Sequence, residues 1–448
     1  MEDKSIGMTR RLAKFIVGTN APEIPVLAYE HAKIALMDWF GVTMAGKEEP
    51  LVTKLLKYAD LMGGKEQATI LGYGIKKSVA QAALVNGAAS HALDYDDSLL
   101  SFLGHPSVTL FPGLLALSEW KGKSGTDFLS AYLIGLKVGV TVASCAGPEH
   151  YATGWHATST MGHLAAAAAC SRLLGLDEQQ TVYALGIAGT QASGLKRVFG
   201  TMCKPFHAGR ASEVGVMSSL LAGDGFTSAE DILEGPGGFF AAMKGAVNED
   251  VLSTLGKTWE VENLAQKYHA SCHGTHSPIE AALSIFQKEG LSIPEIKAIT
   301  VHVNQLMLSA AHMTDANTGL EGKFCIPYCV ANALLRGNTG MQAFTDDKVA
   351  DPEVKALMKK IFLQCDSQIP AVSAEARVEI ETTAGRKYSA LSDVMKDVPE
   401  LKVKRVKIRS KFTDLCSTVL GDQKTKRLEE IILSLEKMEN MTAFVALL

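Results

Sequence analysis

The chain has 448 residues, of which 47% are hydrophobic and 21% charged, with a formal net charge of −4 at pH 7. That length can bury a large core and predicts two domains. The balanced charge, spread along the chain, argues against a nucleic-acid or membrane-surface partner. The eight cysteines include no CxxC pair, which speaks against zinc-ribbon, thioredoxin and iron–sulfur chemistry and for buried, reduced thiols.

Met1–Lys4 is acidic and polar and Thr9–Lys14 is basic, unlike a secretory signal, so a cytoplasmic protein is expected. Arg10–Val17, Val26–Met44 and Val52–Leu61 carry apolar residues at spacings of three and four and predict amphipathic helices. Thr69–Tyr73 predicts a short strand, and Ser78–Leu93 a small-residue helix ending at Asp94-Tyr95-Asp96-Asp97-Ser98. Helices follow after His105, Thr126 and His156, at Glu178–Ser193 and after Lys204. The most apolar window, Phe128–Ala146, contains Lys137 with several Gly and Ser, and reads as a core helix rather than a membrane span. Ala165–Ala169 predicts a helix–helix crossing.

The pattern changes near residue 260. Ile299–Val303 and Ala376–Thr382 alternate as strands, and Lys387–Ser389 pairs with the latter across Thr383–Arg386. Helices are expected at Ser277–Lys288, Cys329–Leu335 and Pro352–Cys365. Asp397–Lys411 reads as a solvated connector, and Thr413–Glu439 returns to amphipathic helix. The expected fold is mainly α with an α+β insertion: a large helical domain from residues 1–262 and 410–448, and a smaller α+β domain at 263–409.

The chemistry gathers at helix starts. Pro205 fixes its own φ and opens a helix whose first turn carries Lys204 and His207. Free N–H groups and a partial positive charge make such an end a receptor for carboxylate or phosphate, and Lys204 reads as a water-accessible anchor. His105, His156, His276 and Tyr328 stand at the starts of four further apolar runs. Five such starts point to one shared anionic ligand. His91 and Asp94 lie three apart at a helix end. The carboxylates of Asp94, Asp96 and Asp97 could polarise nearby histidines, hold Mg²⁺, or form a solvated helix end. Mg²⁺ would need a second aspartate-rich helix, which Asp346-Asp347 in a polar loop does not supply. A zinc site from His273 and His276 lacks a partner at ligand spacing. No GxSxG, P-loop or GxGxxG motif is present. What remains is acid–base chemistry beside a carboxylate, with histidines kept neutral by the positive helix end and Tyr328 as a proton donor.

The segments HALDYDDS, GHPS, GWHATST, GTMCKPFHAG, GTHSPIEAAL and PYCVANALLRG resemble the MmgE/PrpD family, in matching order along nearly the whole chain. That family contains 2-methylcitrate dehydratases, cis-aconitate decarboxylases and an iminodisuccinate epimerase. The resemblance implies a helical domain built from both chain ends, an inserted α+β lid domain, a homodimer, and lyase or epimerase activity on a small di- or tricarboxylic acid without metal or cofactor. By position it assigns the active-site aspartate to Asp94, the hydroxyl residue to Ser98, the histidines to His105, His156 and His276, the lysine to Lys204 and the tyrosine to Tyr328. Ser98 stands where the decarboxylases have threonine, and the loop from Asp94 to His105 is one residue longer.

Overall fold

Apolar spacings of three and four become helix along most of the chain. The computed structural model describes residues 6–337 and 339–447, so the acidic start Met1–Lys4 lies outside the described residues. Two compact units divide the chain. The first comprises Met1–Ala92, Asp96–Gln266 and Glu400–Leu448; the second comprises Leu93–Tyr95 and Lys267–Pro399. The divisions at Gln266/Lys267 and Pro399/Glu400 replace the expected limits at 262/263 and 409/410.

The first unit is built on the helices Val26–Gly46, Val79–His91, Ser107–Lys121, Gly125–Ala152, Ala157–Leu174 and Cys203–Gly223. Helix Gly125–Ala152 is long and apolar enough to cross a bilayer, yet 94% of its most apolar window is buried in protein, so it is a core helix. Small residues let these helices approach closely. A methyl at Gly209 would lie 2.2 Å from the Leu84 carbonyl oxygen, and one at Gly87 would lie 2.7 Å from the Gly209 Cα. Helices Val79–His91 and Cys203–Gly223 therefore touch backbone to backbone, which fixes the end carrying His91 against the turn carrying Lys204. The alanine face makes the crossings its pattern predicts: a methyl at Gly215 would meet the Ala166 Cβ at 2.4 Å. Overpacking of this kind costs about 1–3 kcal/mol, so Gly209→Ala is expected to lower the thermal midpoint visibly in a calorimetric scan. An unchanged midpoint would show that the two helices can part without cost.

Two expectations need correction in this unit. The short strand is Ala68–Ile70, paired antiparallel with Ile75–Lys77. The connector at 397–411 is largely helix, Leu401–Leu420, and it is not simply solvated. Lys404 is buried and donates to the Glu262 and Leu264 carbonyls at 2.8 Å each. Lys411 is buried against Asp38 at 2.6 Å, whereas Val403 and Val406 face outward. A lysine stem packs like an apolar chain once its ammonium finds acceptors. The charge-rich sequence hides that inversion.

The second unit holds a four-stranded sheet in the order Ile361–Cys365, Ile296–Val303, Ala376–Thr382, Lys387–Ser392. The last two strands pair antiparallel across the predicted turn. Strand Ile361–Cys365 pairs parallel to Ile296–Val303 and corrects the helix expected over Pro352–Cys365, which stops at Met358. As an edge strand it leaves Phe362 exposed, so it lacks the alternation that marks Ala376–Thr382. Helix His276–Lys288 packs on the strands Ala376–Thr382 and Lys387–Ser392.

Candidate active site

Each candidate from the helix-start pattern lies at a helix N-terminus. His156 is the N-cap of Ala157–Leu174, with extended backbone at φ −88° and ψ 97°. Lys204 is the second residue of Cys203–Gly223, with His207 one turn on. His105 lies just before Ser107–Lys121, and its N–H donates to the Thr158 hydroxyl at 3.1 Å. His276 is the first residue of His276–Lys288, and Tyr328 the third of Ile326–Arg336. Lys204 is only 5% exposed, which corrects the expected water-accessible ammonium.

In the first unit these helix ends meet. The Asp96 carboxylate lies 2.9 Å from His91 Nδ1 and 3.0 Å from His105 Nδ1. His105 Nδ1 is also 2.8 Å from the Asp97 carbonyl. A carboxylate and a carbonyl can only accept, so both imidazoles carry hydrogen on Nδ1. The His91 ring sits 4.6 Å from His105 and stacks on His156 at 6.3 Å with a 19° tilt. His156 Nδ1 is 3.0 Å from His207 Nδ1, and Phe199 meets the His156 ring edge-on at 4.9 Å. The Lys204 ammonium lies 5.6 Å from the Phe199 ring centre. Four imidazoles, one carboxylate and one ammonium thus share a largely buried region.

Burial sets the charge state of this cluster. It lowers His91 to about 4 against the pull of Asp96. Burial and the Lys204 ammonium push His156 well below its usual range and His207 to about 4. Burial opposes the charge on Asp96, but His91 and His105 outweigh it and hold that carboxyl well below its usual range. Burial and the nearby Asp38 raise Asp97 to about 8; its side chain accepts from Ser107, which lies 2.9 Å from the Tyr132 hydroxyl. Neutral imidazoles beside a fixed cation suit proton transfer on a bound carboxylic acid. His91, Asp96 and His105 also place possible metal-ligand atoms within 4.8 Å of one another. In this arrangement the Nδ1 atoms of His91 and His105 face the Asp96 carboxylate.

Asp94 requires a correction: the carboxylate that orients imidazoles is Asp96. Asp94 accepts from Lys267 Nζ through its side chain at 2.9 Å and its carbonyl at 2.8 Å. Sequence reasoning passed over His91 and Asp96 as a pair because helical spacing stops at His91. Asp94 then takes a left-handed φ of 51°, turning the chain back so that residues five apart meet. Ser98 is buried, and its backbone pairs with that of Ala265. In the second unit, the His276 Nε2–H donates to the Ser271 carbonyl at 3.1 Å, and its ring lies 4.8 Å from His269 and 4.5 Å from His273. The Tyr328 hydroxyl donates to the Ala343 carbonyl, and burial raises its pKa.

These shifts predict a stability maximum near pH 6.5. His91 and His163, both fully buried and lowered to about 4 from 6.5, contribute stability that is present above 6.5 and lost as pH falls towards 4. His156 acts in the same direction. Asp97, raised from 3.8 to about 8, contributes stability present below 3.8 and lost as pH rises to 8. The histidines dominate below 6.5 and Asp97 above it. Each buried histidine is worth roughly 3 kcal/mol across its window. Thermal midpoints from pH 4 to 8 test this, and a midpoint flat from pH 4.5 to 6.5 would contradict it.

The sequence matches the MmgE/PrpD N-terminal domain over residues 10–250 and the MmgE/PrpD C-terminal domain over residues 269–437. It is 27% identical to a cis-aconitate decarboxylase-like protein of Aspergillus oryzae, covering 98% of this chain and 97% of that protein. It is 26% identical to the cis-aconitate decarboxylase of Mus musculus, covering 98% and 93%. It is 25% identical to the 2-methylcitrate dehydratase of Cupriavidus necator, covering 75% and 73%. With both family domains matched in order and the histidine-bearing helix starts in place, the chain belongs to the MmgE/PrpD family and is an enzyme of its lyase type.

Proposed function

We propose that this enzyme is a cofactor-independent lyase that eliminates water or carbon dioxide from a small di- or tricarboxylic acid such as citrate, 2-methylcitrate or cis-aconitate. The observation that carries the reading is the pair of imidazoles hydrogen-bonded to Asp96, beside the Lys204 helix start. The Lys204 ammonium holds a substrate carboxylate; the first N–H groups of its helix already donate to Thr201 and Met202. His105 and His156 move the proton at the adjacent carbon, His105 being oriented through its Nδ1. His207 supports His156 through their shared hydrogen bond. His276, Tyr328 and Ser98 stay with the reading on the strength of the family resemblance, as does a homodimer; a cytoplasmic location rests on the acidic and basic character of the first residues. Epimerisation of an acid such as iminodisuccinate is the second reading, favoured by the segment GTMCKPFHAG, which resembles the decarboxylase and epimerase branch.

Incubation with citrate, 2-methylcitrate, cis-aconitate and iminodisuccinate, followed by proton NMR in D₂O, decides among these outcomes. A new double bond or lost carboxylate supports the lyase, and deuterium uptake with inverted configuration alone supports the epimerase. Inertness towards every acid removes both. The proposal also expects EDTA to leave the rate unchanged. Activity abolished by EDTA and restored by Mg²⁺ or Zn²⁺ would recast His91, Asp96 and His105 as ligands.

A further inference from the structure

His91 lies outside every role assigned so far, yet its geometry is constrained. It is 1% exposed at the end of helix Val79–His91 and packs between the rings of His105 and His156. Its Nδ1 faces Asp96 at 2.9 Å and must carry the hydrogen, because a carboxylate only accepts. The opposite ring nitrogen, Nε2, is buried and has no hydrogen-bond partner among the described residues. A buried acceptor left unpaired costs about as much as a lost hydrogen bond, and such atoms in native proteins call for an explanation. The bond to Asp96 accounts for Nδ1 but not for Nε2, which an asparagine offering the same N–H would not bury.

We propose that His91 Nε2 receives the hydroxyl group of the substrate, so that the site is built for a hydroxylated carboxylic acid, the substrate type of a dehydration. The inference rests on reading the cluster as a site for a small carboxylic acid. The chemistry of the atom selects the partner. A neutral imidazole with its hydrogen fixed on Nδ1 offers a lone pair at Nε2, which repels a carboxylate oxygen and accepts from O–H. Burial keeps the ring neutral at pH 7, so this acceptor character persists there. The carboxylates of the same ligand would fall to Lys204, whose helix start lies against the helix that ends in His91. An unsaturated acid without a hydroxyl would leave Nε2 unpaired. The arrangement therefore favours loss of water over decarboxylation of an already unsaturated acid.

The test compares citrate with propane-1,2,3-tricarboxylate, which is citrate without its hydroxyl, in ligand-observed NMR titrations at pH 7 that also register turnover. The wild-type enzyme is expected to bind citrate about 5- to 100-fold more tightly. His91→Asn keeps an N–H for Asp96 and removes Nε2, so its preference should fall within twofold. His91→Phe, which fills the space of the ring, gives a second check if the asparagine variant folds poorly. Equal binding of the two acids by wild type, or an undiminished preference in a folded His91 variant, overturns the assignment while leaving the carboxylic-acid reading intact. Binding of neither acid overturns that reading and the inference with it.

Discussion

Replacing His105 or His156 by alanine is expected to lower kcat by about 10²–10⁴-fold while the protein stays folded, the usual contribution of a general acid or base. The two residues reach this expectation by different geometry. His105 is held twice at Nδ1, by the Asp96 carboxylate at 3.0 Å and the Asp97 carbonyl at 2.8 Å, which fixes the orientation of its ring. His156 is shielded from charging by burial and by the Lys204 ammonium, and it exchanges a hydrogen bond with His207. Steady-state kinetics with the acid that turns over, beside circular dichroism of each variant, make the measurement. A folded His105→Ala enzyme retaining more than a tenth of the wild-type kcat would remove His105 from proton transfer.

Lys204→Ala is expected to weaken kcat/KM by about ten- to a hundred-fold or more, since a charge-assisted hydrogen bond contributes roughly 1.5–3 kcal/mol. The ammonium is nearly enclosed, standing over Phe199 at the second position of its helix. In such surroundings its attraction for a carboxylate is less screened than at an open surface. Its removal also withdraws a positive charge that lowers His91, His156 and His207. The acid limb of the pH–rate profile should therefore move to higher pH in this variant. Unchanged kinetics in a folded Lys204→Ala protein would place the carboxylate elsewhere.

Helices were readable wherever periodicity and packing agree, as in Met8–Gly18 and Pro50–Met62, because burial of an apolar face writes its spacing into the sequence. Helix Leu401–Leu420 was harder to read because two of its inward positions are the lysines Lys404 and Lys411, satisfied by carbonyls and a carboxylate that no local pattern reveals. Strand Ile361–Cys365 was obscured by its place at a sheet edge. The candidate site was legible through its helix starts, since proline and histidine mark those positions locally. The bridging role of Asp96 was not, because it depends on a left-handed turn at Asp94, and aspartate tolerates that conformation without advertising it.

The Lys404 ammonium has a consequence for how the gene can change. It stands four residues after the chain re-enters the helical unit at Glu400, and it holds the carbonyl of Leu264, two residues before the chain leaves at Gln266. The two ends of the long excursion 267–399 are thus fastened within one lysine side chain and one hydrogen bond of each other. A segment with its ends so joined is spliced in at a single address, and the helices around it keep their connectivity however long it grows. Lineages could lengthen, trim or replace that excursion by ordinary insertion and deletion. The imidazoles of His91, His105, His156 and His207 are all encoded outside it, but Lys267 at its first position holds the turn at Asp94, so that residue has to be kept.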